Sequence, residues 1–242
     1  MNLRLAALAV VRHGQSEANA AFVAAAVTGR LDSGITGRDA DVVLTALGRA
    51  QAATLGEWLA GRPAGERPQV VVCSPFRRAV QSWQVAQAAA AARGVRLPDP
   101  VIDARLVDRR MGELELMTAA AIAARFPAEV DRRARDGEFD YRPPGGESFP
   151  DVVDRVSAAL ADLDRDHPGE RVWLIAHDAV VLAVWVVVER LPVSDLAAVV
   201  AAGPVRNGSV TRFRQSGGRM RLVAYNDTTH LTAPATDARE NV

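Results

Sequence analysis

Three short stretches of the sequence gather side chains that could act on an anion. "VVRHGQSEAN" (10–19) closes an apolar run with Arg12 and His13 and sets Gly14 straight after them. "SPFRRA" (74–79) follows the run "VVVC" with Arg77 and Arg78, and "HDA" (177–179) follows "VWLIA" with His177 and Asp178. A guanidinium is charged at any relevant pH and offers a planar fork of donors that suits phosphate oxygens. Neutral imidazole is a nucleophile, and covalent catalysis divides one hard displacement into two easier ones. Arg12 and Arg78 could hold a phosphoryl group while a nitrogen of His13 attacks in line and His177 donates to the equatorial oxygens. Such transfer is mostly positioning and charge stabilisation, so enough cations make a metal unnecessary. The leaving oxygen still needs a proton, which a protonated carboxyl can give. Gly14 would let the backbone come close to the phosphate.

Each stretch taken alone has a plainer reading. An Arg-His pair at a strand end is commonly a solvated terminus. A metal-dependent phosphohydrolase with an "HD" pair needs further ligands on helices, whereas His177 follows a strand and His167 sits beside "PG". "CSPFRRA" looks like a Cys-x5-Arg loop, but the sixth residue after Cys73 is Ala79, so Cys73 reads as a buried strand residue.

The surrounding pattern decides whether the three stretches meet. Apolar runs at 5–11, 70–73 and 172–176 read as strands buried on both faces, each followed by a polar cluster and a helical pattern. Helices are expected after Thr45, around Val80 to Ala90, and from Phe149 to Leu163, where Ser148 and Asp151 have capping-box spacing. "AVVLAVWVVV" (179–188) is too short to span a membrane and reads as a core helix. "SVTRF" and "MRLVAY" predict an antiparallel hairpin at a sheet edge. Strands alternating with helices predict a three-layer α/β/α sandwich with a mostly parallel central sheet. Ligands of such sheets sit beyond the carboxyl ends of the strands, where all three stretches would lie. One domain is expected over 1–226, with a loosely ordered tail at 227–242.

The chain has 242 residues, with Lys+Arg and Asp+Glu both 29, so no basic face for nucleic acid is implied. The apolar opening lacks a cleavage-like end before "RHG" and reads as a first strand. A single cysteine excludes an intrachain disulfide and fits a reducing cytoplasm. No membrane span, metal or cofactor is expected.

Beyond the three stretches, the chain resembles the histidine phosphatase superfamily, the phosphoglycerate-mutase-like fold. "RHGQSEAN" is similar to its R-H-G-x-S-x-x-N opening, "LTALGRAQA" (44–52) to L-T-x-x-G-x-x-Q-A, and "SPFRRAVQS" (74–82) to S-P-x-x-R-A-x-Q-T. "VWLIAHDAVV" resembles the strand carrying the second histidine, and "YNDTTHL" (225–231) the C-terminal end. The resemblance implies a phosphohistidine on His13, with Arg12, Arg78 and His177 around the phosphate. It adds Gln15, Ser16 and Asn19 near the phosphate loop, and it turns Arg77 away from the pocket. "LVDRRMG" (106–112) meets L-x-E-x-x-x-G with Asp108 where glutamate is usual, so Asp108 is favoured as the acid. Asp178 is the alternative, since the acid-phosphatase branch uses an H-D pair.

The region 106–181 most resembles the fructose-2,6-bisphosphatase branch. Asp178 stands there in place of a glutamine and Leu182 in place of a phosphate-binding arginine, so a second phosphate is disfavoured. The connection between the acid and the second histidine is short, favouring hydrolysis of a small phosphomonoester over phosphoglycerate-type mutase chemistry. A non-catalytic phosphate-binding module is the third reading. Inorganic phosphate or sulfate would occupy the same site. The segment 20–43 is a candidate lid bearing Arg30, Arg38, Asp39 and Asp41.

Overall fold

The computed structural model describes residues 3–201 and 203–231. The first apolar run forms β1 (Ala7–Arg12), with Leu8, Ala9, Val10 and Val11 all buried. A continuous apolar strand has both faces covered, and here successive side chains alternate between two cores. Leu8 and Val10 join one buried cluster, and Ala9 and Val11 join the other. The sheet is completed by β2 (Val70–Cys73), β3 (Val101–Ile102), β4 (Arg171–Ala176), β5 (Val210–Ser216) and β6 (Arg219–Asp227), in the order β3-β2-β4-β1-β5-β6. Strands β1 to β4 run parallel, and β5 and β6 form the antiparallel edge hairpin.

Helices cover both faces. On one side lie α2 (Ala46–Ala60) and α3 (Arg77–Ala92), and on the other α6 (Phe149–Asp166) and α7 (Asp178–Glu189). Shorter helices α1 (Glu17–Thr28), α4 (Ala119–Arg125), α5 (Pro127–Asp136) and α8 (Leu196–Ala201) complete the set. The capping box expected at Ser148 and Asp151 is present at the start of α6. The sequence and the structure thus agree on a three-layer architecture.

Strand register positions the site. Strand β4 lies between β1 and β2, with Arg12 paired to Ala176 and Cys73 paired to Ile175. The ladder continues one step past each strand, as His13 N–H donates to Ala176 O at 3.0 Å and Ser74 N–H to Ile175 O at 2.9 Å. His13, Ser74 and His177 therefore leave the sheet side by side.

Two expectations need correction. The segment 20–43 is not loop throughout, because residues up to Thr28 belong to α1. Alanine-rich sequence favours helix, a Ser16–Asn19 capping box starts this one, and Gly29 ends it at φ 66°. Its outer valines, Val23 and Val27, are exposed, so no apolar period betrayed it. The tail boundary at 226 cuts a strand, since Asp227 still pairs with Val210. Thr229–Leu231 then forms a 3-10 turn whose buried His230 ring lies 5.4 Å from that of Trp58. Residues 232–242 lie outside the described residues.

Candidate active site

Three elements deliver the expected site residues to one cleft. His13 follows β1, Arg78 lies in the first turn of α3, and His177 and Asp178 open α7. The turn after His13 is tight. A Cβ on Gly14 would come within 2.3 Å of Gly48 O, and one on Gly48 within 2.0 Å of Gln15 O. Glycines at both positions allow the amino end of α2 to seat against the backbone that carries His13.

His13 is 2% exposed and its tautomer is fixed. The Nδ1 atom lies 2.7 Å from Gly14 O, which can only accept, so Nδ1 carries the proton. Nε2 is left with its lone pair, 3.2 Å from Arg78 Nε, whose N–H it accepts. Burial, and then the positive neighbours His177, Arg78 and Arg12, hold its pKa well below the ordinary 6.5. The ring is neutral at physiological pH. His177 is fully buried, with its ring centroid 5.1 Å from that of His13. Its Nε2 meets Ser74 Oγ at 2.9 Å. Burial first, then Arg78 and Arg12, depress its pKa as well. With Ser74 O–H donating to Nε2, the proton of His177 sits on Nδ1, 3.4 Å from Asp108 Oδ2.

Arg78 has every nitrogen engaged. Besides Nε on His13, Nη1 donates to Asp39 O at 2.7 Å and to Asp39 Oδ1 at 2.9 Å. Nη2 donates to Asp39 Oδ2 at 3.0 Å and to Asp108 Oδ2 at 3.2 Å. Burial works against the cation, but Asp108 and Asp39 outweigh it and raise the guanidinium pKa. Arg12 donates from Nη1 to Val205 O and places Nη2 3.3 Å from Asp178 Oδ2. The enclosure of Asp178 raises its pKa, Arg12 opposes that shift, and the charge of Asp108 adds to it. Two buried donors, Arg12 Nε and His177 Nδ1, have no hydrogen-bond partner among the described residues. A buried donor left unmatched costs stability until an acceptor arrives.

The expected residues divide on inspection. His13, Arg78, His177, Asp108, Asp178 and Arg12 cluster together. Ser16 and Asn19 line the same cavity; Asn19 Oδ1 accepts from Ser16 N at 3.1 Å and Asn207 Nδ2 at 3.1 Å. Gln15 does not face the cleft. Its N–H donates to Gln51 Oε1 and its Oε1 accepts from Thr45 Oγ1, so it ties the turn to α2. Gly14 N–H is likewise taken, by Ser82 Oγ at 3.0 Å, and its open face meets Gly48 rather than a ligand. Arg77 is exposed, and Cys73 is buried with its thiol pushed up to about 12 by that burial.

Sequence reading missed two supports. Asp39 was one of four charged residues on a candidate lid, with nothing to show that it would grip Arg78. Arg155 on α6 binds Glu147 and donates to Asp108 O at 3.0 Å and Val107 O at 2.9 Å, fixing the backbone that carries Asp108. Segments 29–41 and 112–118 roof the cleft together. Thr118 Oγ1 lies 3.1 Å from Arg30 O and 3.0 Å from Leu31 O, Ser33 Oγ donates to Leu116 O, and Glu115 accepts from Asp39 N at 2.9 Å.

A family model for the histidine phosphatase superfamily, branch 1, matches residues 8–228. The chain belongs to the histidine phosphatase superfamily. Within it, the chain is 32% identical over 204 residues to glucosyl-3-phosphoglycerate phosphatase of Mycolicibacterium vanbaalenii, covering 80% of this chain and 78% of that one. It is 31% identical to a Caenorhabditis elegans 6-phosphofructo-2-kinase/fructose-2,6-bisphosphatase over 81% of this chain, but spans only 37% of that protein. Among solved structures, mycobacterial glucosyl-3-phosphoglycerate phosphatase with inorganic phosphate superposes with a TM-score of 0.69 at 26% identity. That match covers 93% of this chain and 98% of that one. No helix among the described residues is long and apolar enough to cross a membrane.

Proposed function

We propose that the protein is a metal-independent phosphatase that hydrolyses a small phosphomonoester through a phosphohistidine on His13. One observation carries this reading: the Nε2 lone pair of a neutral, buried His13 is held 3.2 Å from the Nε–H of Arg78. In the first step Nε2 bonds to phosphorus as the ester P–O bond breaks, and Asp108 gives its proton to the leaving oxygen. Arg12, Arg78 and His177 stabilise the equatorial oxygens, which would satisfy the two unmatched donors Arg12 Nε and His177 Nδ1. Asp39 must leave the terminal nitrogens of Arg78, and the Arg78 Nε–H must turn from His13 Nε2 to a phosphoryl oxygen, before Nε2 can attack. In the second step Asp108 takes a proton from water, the water oxygen bonds to phosphorus, and the P–N bond breaks to release phosphate. Asp178 contacts the substrate beside Arg12. A reducing, cytoplasmic setting is part of this reading, supported by the lone buried Cys73.

The test is phosphate release with and without EDTA, together with labelling from a radioactive phosphomonoester. Chelator-independent turnover is expected, with label on the protein that is stable to alkali and labile to acid. His13→Ala should cut turnover by about 10³-fold or more and abolish the label. Wild-type turnover in that variant would end the proposal.

A further inference from the structure

The cleft does not stop at the phosphate end. It continues as a cavity of ≈ 460 Å³, far more than a phosphoryl group needs and within the usual range for small-molecule sites. The outer part is walled by Phe22 from α1, Met111 just ahead of the roof segment and Met117 within it, Ile122 from α4, Phe139 ahead of α6, and Leu182 from α7. Asp178 and Leu182 lie one helical turn apart, and both line the cavity.

The cations on this wall are almost all engaged. Arg109 donates to Glu147 O at 2.9 Å, to Glu138 O at 3.1 Å and to Tyr141 O. Arg133 donates to Glu138 Oε2 at 2.7 Å. Arg110, whose side chain is 58% exposed, stands 3.8 Å from Glu147 and is the one loosely held guanidinium on the wall among the described residues. Acidic groups also face inward, with Asp39, Asp108, Asp178, Glu115 and Glu138 on the lining. A second phosphate or a carboxylate entering this space would lose its water and meet carboxylates with only the loosely held Arg110 to match its charge. An uncharged apolar group would exchange water for methionine, phenylalanine and aliphatic contacts.

We propose that the preferred substrate is the phosphomonoester of an uncharged alcohol with a bulky apolar or aromatic body, not a bisphosphate or a phospho acid. The inference rests on the phosphatase reading above and names its substrate class. Leu182 and Met117 set that preference: each presents an apolar surface to the cavity.

The experiment compares kcat/KM of the wild-type enzyme for cyclohexylmethyl phosphate, ethyl phosphate, 3-phosphoglycerate, phosphoserine and fructose 1,6-bisphosphate. Cyclohexylmethyl phosphate should exceed each of the others by about tenfold or more, the scale on which apolar pockets discriminate. Leu182→Arg should lower that preference and raise use of 3-phosphoglycerate. Met117→Lys, on the roof segment, makes the same test should the helix variant fail to fold. A flat or reversed ranking overturns this inference alone, and more so if Arg110→Ala selectively removes activity on the phospho acids. Absence of phosphate release from every ester overturns the phosphatase reading and this inference with it.

Discussion

At the inner end of the cleft, Arg78 engages His13, Asp39 and Asp108 at once, and two imidazoles stand buried and neutral. At the outer end, Met111, Met117, Ile122 and Phe139 face the same cavity without a polar group of their own. The inner end is made by three consecutive parallel strands and the turns after them, so its geometry follows from the ladder. The outer end is made by the roof segments and by short helices far apart in the chain. On the proposed reading, the sheet sets the position of the phosphate-binding groups, and the elements draped over the cleft set the choice of substrate.

Substitutions at the inner end should be the most damaging. Arg78→Lys keeps the charge but loses the planar fork, and kcat/KM should drop by about 10³-fold. A loss under tenfold would mean that charge alone suffices there. Next comes the acid. Asp108→Asn should lower kcat on alkyl phosphates by about 10²-fold or more, yet leave the first-turnover burst of 4-nitrophenol from 4-nitrophenyl phosphate nearly unaffected, because that leaving group needs no proton. If Asp178→Asn shows that pattern instead, the donor is Asp178, whose pKa burial raises from the ordinary aspartate value.

The buried imidazoles also predict a pH dependence of stability. His13 and His177 have depressed pKa values in the folded protein, so below about pH 6.5 the unfolded chain binds protons that the folded chain refuses. Stability should therefore fall with decreasing pH, by up to about 1.4 kcal/mol per unit for each ring, and the contribution is fully present above about pH 6.5. His230, depressed by its own burial, acts in the same direction. Denaturant titrations between pH 7.5 and 5.5 should show this slope, reduced in His177→Asn and unchanged in Met117→Leu at the outer end. An equal slope in His177→Asn would show that this ring is not held neutral.

The smallest expected effect concerns Asp39. Because its carboxylate occupies both terminal nitrogens of Arg78, Asp39→Asn should tighten inhibition by inorganic phosphate about tenfold. Weaker inhibition would mean that Asp39 assists phosphate binding rather than opposing it.

The two ends of the cleft also differ in how far the sequence reveals them. Arg12, His13 and His177 were legible because each sits at or next to the end of an apolar strand, and strand ends in an α/β sheet have a known destination; Arg78 was chosen over Arg77 only by register with the family motif. Gln15 was misdirected for a local reason. Its place in the motif gives its distance from His13 but not its direction, and Thr45 and Gln51 turn it toward α2. Asp39 and Arg155 gave no signal at all, because a charged residue in an irregular segment or on a helix reads as solvated until its partner is known. The walls of the outer cavity were hidden for the opposite reason, since Met117 or Phe139 in a sequence is indistinguishable from core. Helix α1 escaped notice because its alanines and exposed valines lack an apolar period.

The roof of the cleft has one further implication. Its two strips of chain, 29–41 and 112–118, are sewn to each other by Thr118, Ser33 and Glu115. Lifting either strip alone would break these polar contacts with the other, so the two strips are coupled although they lie far apart along the polypeptide.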